Sequence, residues 1–269
     1  MRKLFEDRTT GARAPEDIVL TETMRTILGH ASCRAYTDQP VPEALLDALI
    51  SAAQSAPSSC NLQCWSVVSV REPKLKGALS NLSGHQAHIE SAPLFLCFLA
   101  DLARIEQVAL NAGQKAESLD YLEMFLVGVI DAALAAQNLV TAAESCGLGT
   151  CYIGGLRNDI AAVAETLDLP PRVAPVFGIT LGYPDQLRAG QVKPRLPQSL
   201  AHFRDRYTLP DVSEGVRAYE ERMASFNVTQ GRHVEGWGLK SGKRVSTRES
   251  LEGRDNLQSE LRALRLAVK

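Results

Sequence analysis

The sequence lacks the single strong motifs that settle most nucleotide-binding proteins. It has no Gly-Lys-Ser/Thr phosphate loop and no Gly-x-Gly-x-x-Gly turn, so neither of the two common backbone cradles for phosphate is available. Excess charge is missing too: 29 Lys and Arg against 31 Asp and Glu leave a formal net charge of -2, no field to gather nucleic acid or an anionic membrane. Six cysteines occur (Cys33, Cys60, Cys64, Cys97, Cys146, Cys151) without a Cys-x-x-Cys pair. That argues against a zinc or disulfide site and leaves small buried hydrophobes as the expected role. No apolar run follows Arg2 and Lys3, so no secretory signal is expected, and a cytoplasmic location is. No Ser-His-Asp set or carboxylate pair stands out, and no metal site is expected. His85 and His88, three apart, have no further ligand pattern and read as surface histidines.

What is present is an ordinary globular composition, 45% apolar and 22% charged, over 269 residues, enough for a full core. Residues 1–15 read as a polar tail. Apolar periodicity predicts helices over 17–28, 42–55, 73–82, about 119–146 and 213–226. Trp65–Val70, 93–99, 150–153 and 173–181 read as strands, those over 93–99 and 173–181 as buried ones because their apolar runs barely alternate. The segment from Val127 to Ala136 is apolar or small on nearly every face. Glu123, Asp131, Gln137, Asn138 and Glu144 interrupt the helix over about 119–146 too often for a membrane span, so that helix is expected in the core or at a subunit interface. Helices and strands mix without strict alternation, which predicts an α+β fold: a central mixed or antiparallel sheet flanked by helices. The expected organisation is a tail to 15, a core over 16–210 and a helical, basic extension over 211–269.

Four polar segments stand out against this apolar background: His30-Ala31-Ser32-Cys33-Arg34, Ser58-Ser59-Cys60-Asn61-Leu62-Gln63, Tyr152-Ile153-Gly154-Gly155-Leu156-Arg157-Asn158 and Lys193-Pro194-Arg195-Leu196-Pro197. Hydroxyls and guanidinium groups suit a phosphate, and paired glycines let backbone N–H groups approach a ring system. Lys193 and Arg195 stand two apart on a proline-stiffened stretch, so both point the same way if it is extended. Gln86 carries a donor and an acceptor that can read the edge of a pyrimidine-like ring. Taken singly, each segment has an ordinary structural use as a capped turn, a strand-to-helix turn or a solvated loop.

Together, and in this order, the segments resemble the flavin-dependent nitroreductase superfamily, in the branch of the oxygen-insensitive major nitroreductases and NADPH-flavin oxidoreductases. The matching motifs are His-x-Ser-x-Arg-x-Tyr-Thr-Asp-x-Pro, Ser-Ser-x-x-Leu-Gln, Tyr-Ile-Gly-Gly-Leu-Arg-Asn and Lys-Pro-Arg-Leu-Pro, between Leu28 and Tyr207. The resemblance implies an α+β homodimer with FMN at the dimer interface. It further implies FMN contacts from His30, Ala31, Ser32, Cys33, Arg34, Ser58, Ser59, Gln86, Tyr152, Ile153, Gly154, Gly155, Lys193 and Arg195. No protein side chain is expected to act as a catalytic acid or base, because the flavin carries the chemistry. The implied activity is two-electron, ping-pong hydride transfer from NADPH or NADH to nitroaromatics, quinones or flavins.

Two departures from the family pattern bear on function. Ala31 stands where the family usually has Arg, and Thr229-Gln230-Gly231 replaces its Thr-Arg-Gly. The second region is associated with the nucleotide 2′-phosphate, so Gln230, Arg232, Lys243 and Arg244 are the candidate nucleotide-binding residues. Two rival readings stand beside the main one: a flavin reductase that supplies reduced FMN to a partner monooxygenase, and a flavin-binding redox sensor without turnover.

Overall fold

A computed structural model describes residues 2–17, 19–188 and 190–269. In chain order its helices are α1 (Arg2–Arg8), α2 (Glu22–Gly29), α3 (Glu43–Gln54), α4 (Pro73–Leu82), α5 (Ala87–Ser91), α6 (Ala103–Asn111), α7 (Leu122–Ser145), α8 (Ile160–Thr166), α9 (Val212–Thr229), α10 (Trp237–Arg244) and α11 (Leu257–Ala263). The strands are β1 (Trp65–Val70), β2 (Leu94–Asp101), β3 (Gly149–Ile153) and β4 (Val173–Gly182). Contacts divide the chain into two compact units, Met1–Ala31 with Gly190–Ser250 and Ser32–Ala189 with Leu251–Lys269.

The larger unit is built on one antiparallel sheet in the order β1-β2-β4-β3. All of β2 is buried, as its unbroken apolar run requires. The two-residue period of the strand sorts its side chains between two cores. Leu94, Leu96 and Phe98 meet Leu46 and Leu49 of α3 and Leu139, Val140 and Ala143 of α7. Phe95, Cys97 and Leu99 face the other way, onto Leu79 of α4, Ile89 of α5 and Val163 of α8. Helices therefore cover both faces, the α+β arrangement the sequence predicts. By length and composition α7 is apolar enough to cross a membrane, yet it packs on α3, β1, β2 and β3. Arg172, at φ +67, ties the chain end to this unit. Its buried guanidinium pairs with Glu106 at 2.7 Å and Asp120 at 2.8 Å and donates to the Arg265 carbonyl, while its own N–H donates to Leu264 O.

The smaller unit holds α1, α2, α9 and α10. Thr21 caps α2 by accepting from Met24 N at 3.3 Å, and Asp211 caps α9 by accepting from Ser213 N at 2.9 Å. Tyr219 of α9 meets Trp237 of α10 edge-on at 5.4 Å, and Glu220 accepts from Gly238 N at 2.8 Å.

Several sequence expectations need correction. The tail expected over 1–15 contains α1, and the helix expected from Asp17 begins at Glu22, where Thr21 supplies the cap. Residues 213–226 form a longer helix, α9, that runs to Thr229. Cys60 and Cys146 are exposed, unlike the other four cysteines. His88 is half-buried, with an Nε2 atom that is buried and meets no hydrogen-bond partner among the described residues.

Candidate functional site

In the larger unit, Cys33 N donates to Thr150 O at 2.8 Å, which lays residues 32–36 beside β3. Cys33 and Tyr36 are buried, and Arg34 is exposed. Tyr36 OH fixes the segment, donating to Cys33 O at 2.7 Å and lying 2.7 Å from Thr180 Oγ1. A side chain at Gly149 would bring its Cβ to 2.6 Å from Cys33 Cβ, so the glycine is what allows this close approach. Burial raises the Cys33 and Cys151 thiols above their ordinary range, so they line the segment as inert thiols. Burial first, and then the nearby Arg34 cation, lowers the pKa of His88. A neutral His88 therefore sits near Arg34.

The loop over Ser58–Gln63 is held in an unusual shape: Cys60, Asn61 and Gln63 have φ of 48°, 56° and 53°. The buried carboxylate of Asp131, on α7, fixes it from below. Its Oδ1 accepts from Ser59 N at 3.2 Å and its Oδ2 from Cys64 N at 2.9 Å. A recess of about 360 Å³ joins Ser58, Ser59 and Asp131 to Glu123, Ile130 and Leu134 on the outward side of α7. Arg104 braces the far end of the loop by donating to Gln63 O and, at 2.8 Å, to Trp65 O.

The end of β3 passes into a tight turn at Gly154. Tyr152 is partly exposed, its OH donating to Gln137 Oε1 at 3.3 Å and its ring edge-on to Phe177, whereas Ile153 is buried. Gly155 and Gln86 are neighbours. A Cβ on Gly155 would lie 2.4 Å from Ser83 O and 2.9 Å from Gln86 Nε2. Gln86 Nε2 donates to that same Ser83 O at 2.9 Å, which uses one of its two N–H donors and leaves the second N–H and the carbonyl oxygen of Gln86 available. The sequence motifs thus form a contiguous group here: Gln86 with Gly154 and Gly155.

In the smaller unit, Lys193 and Arg195 are exposed on a stretch without helix or extended sheet. Arg195 donates to Lys193 O at 3.3 Å, and among the described residues its Nε and Nη2 meet no acceptor. The guanidinium of Arg8 donates to Leu28 O, His30 O and Lys193 O, so it joins the His30-Ala31 segment to the Lys193 segment. A recess of about 670 Å³ lies beside them, lined by Lys3, Ala31, Pro194, Arg222, Phe226 and Thr229 among others. The candidate nucleotide-binding residues do not form one group in the same way. Gln230 caps the end of α9 and Arg232 follows it, while Lys243 and Arg244 end α10. Lys243 pairs with Glu235 at 2.8 Å, and Arg244 donates to Ser250 O.

Arg8, Asp131 and His88 are the residues the sequence analysis did not assign to the site. Asp131 carried a signal, a lone carboxylate in an apolar helix, which points to buried backbone donors. Arg8 carried none, because its partners lie 20 to 185 positions away.

Residues 27–183 match the model of the nitroreductase family, and residues 193–269 match that family's C-terminal domain. The FMN reductase (NADPH) of Bacillus subtilis (strain 168) is 40% identical over 223 residues, 81% of this chain and 89% of that protein. The oxygen-insensitive NADPH nitroreductase of Salmonella typhimurium is 41% identical over 212 residues, 79% of this chain and 85% of that protein. Among solved structures, the NADPH:FMN oxidoreductase from Vibrio harveyi complexed with NAD+ has a TM-score of 0.81 at 34% identity, covering 93% of this chain and 100% of that one. NfrA2 of B. megaterium has a TM-score of 0.86 at 37% identity, covering 93% and 99% of the two chains. By domain match, by relatives over four fifths of its length and by fold, the chain belongs to the nitroreductase family.

Proposed function

We propose that this chain is an FMN-dependent NAD(P)H oxidoreductase that reduces nitroaromatics, quinones or flavins by two-electron, ping-pong hydride transfer. The observation that carries the reading is the Gly154-Gly155 turn with Gln86 behind it. There the backbone is bare of side chain and one oriented carbonyl acceptor is left over. FMN, when bound, supplies the centre that takes and gives the hydride.

The chain's own residues bind and orient. Lys193 and Arg195 are exposed cations suited to a phosphate, Arg195 by its planar fork. His30, Ser32, Arg34, Ser58 and Ser59 are assigned to the polar parts of the flavin. Gln86 offers its carbonyl oxygen, which suits the imide N–H of a flavin ring. Cys33 and Ile153 are buried and act through their backbone, and Ala31 through its backbone as well. Nicotinamide nucleotide binding is assigned to Gln230, Arg232, Lys243 and Arg244.

A homodimer is part of the proposal. Leu122, Leu126, Ile130 and Leu134, spaced four apart on α7, are between 40% and 55% exposed and form an uncovered apolar stripe. That stripe adjoins Ser58 and Ser59 through the recess they share. The proposed location is the cytoplasm, where nicotinamide nucleotides are kept reduced. The test is direct: the purified protein is yellow with an FMN spectrum and bleaches anaerobically on addition of NAD(P)H. A colourless protein that FMN does not reconstitute overturns the reading. Free FMN is the acceptor favoured by similarity to two relatives that are FMN reductases. Comparing NAD(P)H oxidation rates with free FMN and with nitrofurazone separates a flavin reductase from a nitroreductase.

A further inference from the structure

A loop that presents two long cations to one anion needs a fixed backbone. A mobile loop would lose much of the binding free energy to ordering. Lys193-Pro194-Arg195 has no helix and only a single isolated β-bridge to fix it. Its three successive carbonyls are nonetheless all taken. Lys193 O accepts from Arg8 Nη1 at 2.8 Å, Pro194 O from Tyr219 OH at 3.3 Å, and Arg195 O from Thr10 Oγ1 at 2.6 Å. Arg195 N in turn donates to Arg8 O at 2.8 Å, completing a bridge in which Thr9 pairs with Arg195. Thr9 and Thr10 are buried, whereas Lys193 and Arg195 are exposed. The carbonyl oxygens, which would repel an anion, are thus turned onto donors, and the two cationic side chains are left outward.

The same guanidinium reaches a second segment. Arg8 Nε and Nη2 donate to Leu28 O at 3.2 and 3.1 Å, and Nη2 donates to His30 O. Leu28 lies in the last turn of α2, where a cation is favoured by the unpaired carbonyls of the helix end. One side chain therefore sets two of the four polar segments, His30-Ala31 and Lys193-Pro194-Arg195, which lie more than 160 residues apart in sequence.

We propose that residues 8–10 form a strap that holds these two segments in the conformation that binds the flavin phosphate, with Arg8 as a positioning residue. The strap rests on the FMN reading above. Arg8 itself spends its donors on carbonyls and makes no claim on the ligand. The strap therefore predicts an effect confined to phosphate-bearing flavins.

The full-length apoprotein is titrated with FMN and with riboflavin, following quenching of flavin fluorescence. The wild type binds FMN more tightly than riboflavin. Arg8→Gln, which keeps a long polar side chain but loses the three-way fork, weakens FMN on the order of tenfold and leaves riboflavin unchanged. Arg8→Lys recovers part of the loss, since one ammonium reaches some of the same carbonyls. Thr10→Val, a near-isosteric change that removes the bond to Arg195 O, weakens FMN alone by a smaller factor and decides the matter if Arg8→Gln does not fold. A variant pair that keeps the wild-type preference for FMN overturns the strap and leaves the flavin reading standing. Equal losses for FMN and riboflavin also overturn it, because they mark a general structural role. A wild type that binds both flavins equally overturns the phosphate assignment and the strap together.

Discussion

At the scale of single residues, the side chains proposed to meet the flavin stand out in the sequence and the groups that hold them do not. Ser58, Ser59, Gly154, Gly155, Gln86 and Arg195 announce themselves by residue type and local spacing. Asp131 and Arg8 act on backbone groups far along the chain, which no local pattern encodes. Asp131 gives a sharp prediction. Its two oxygens satisfy two N–H groups, so Asp131→Asn leaves one acceptor and turns an NH₂ group toward the other donor. The expected cost is about 1–3 kcal/mol of unfolding free energy in urea, the range for a buried donor left unpaired. A change within the scatter of surface substitutions would show that water replaces the carboxylate. Asp120 gives a second prediction, read in pH. Hydrogen bonds from Lys269 and then Arg172 hold its carboxyl below the ordinary value. A depressed carboxylate stabilises the fold above its unfolded value of about 3.9 and loses that contribution as pH falls through the folded value. The stability difference between wild type and Asp120→Asn is therefore constant near neutrality and shrinks below about pH 4. A difference that grows on acidification contradicts the pairing. Lys269, raised by the same partner, adds stability below its unfolded value of about 10.4 and loses it as pH rises further.

At the scale of elements, period and caps carried most of the fold. The expected boundaries of β1 and α4 are the observed ones, since Pro73 starts α4 at its first position and β1 is a short run of Trp, Val and Ser with three β-branched valines. The short helices α5, α6, α10 and α11 escaped because a five- to nine-residue segment offers too few turns for an apolar stripe to show. The pairing of strands into β1-β2-β4-β3 was illegible as well, because register depends on partners distant in sequence. α7 is the element with the largest functional consequence. One side of it closes the core with Ala135, Leu139 and Val140, while Leu122, Leu126, Ile130 and Leu134 face outward. This stripe of four large exposed apolar residues is the face on which the proposed dimer would form. Ile130→Glu places a charge at its centre and is expected to convert a dimer to a monomer in light scattering at micromolar concentration, with loss of bound flavin. A wild-type chain that is a flavin-loaded monomer at that concentration rejects the dimer outright.

At the scale of the whole molecule, the chain order hides how the units are made. Residues before Ala31 belong with those after Gly190, and the last residues from Leu251 return to the sheet unit. The basic character of the C-terminal stretch was legible, but its use was not, since several of its cations are already engaged. Lys243 is paired with Glu235, whose carboxyl it holds below the ordinary value, and Arg244 with Ser250 O. This bears on the choice between NADPH and NADH, which differ by one 2′-phosphate and therefore by the cations available to meet it. Gln230, at the end of α9, offers an amide where the family pattern places an Arg, and Arg232 two residues on is exposed. Selectivity is accordingly expected to be weak: both nucleotides reduce the flavin, with NADPH modestly ahead. Gln230→Arg adds a charge at an exposed helix end, where a solvent-screened contact is worth roughly 1 kcal/mol, somewhat less than tenfold in the NADPH to NADH ratio of kcat/KM. Steady-state rates with each nucleotide, at low and high salt, read the effect, and the gain shrinks as salt rises because the contact is screened. A wild-type enzyme that already rejects NADH by several orders of magnitude would show that Gln230 is not the determinant and would make the basic arm of Arg232, Lys240, Lys243 and Arg244 the better candidate.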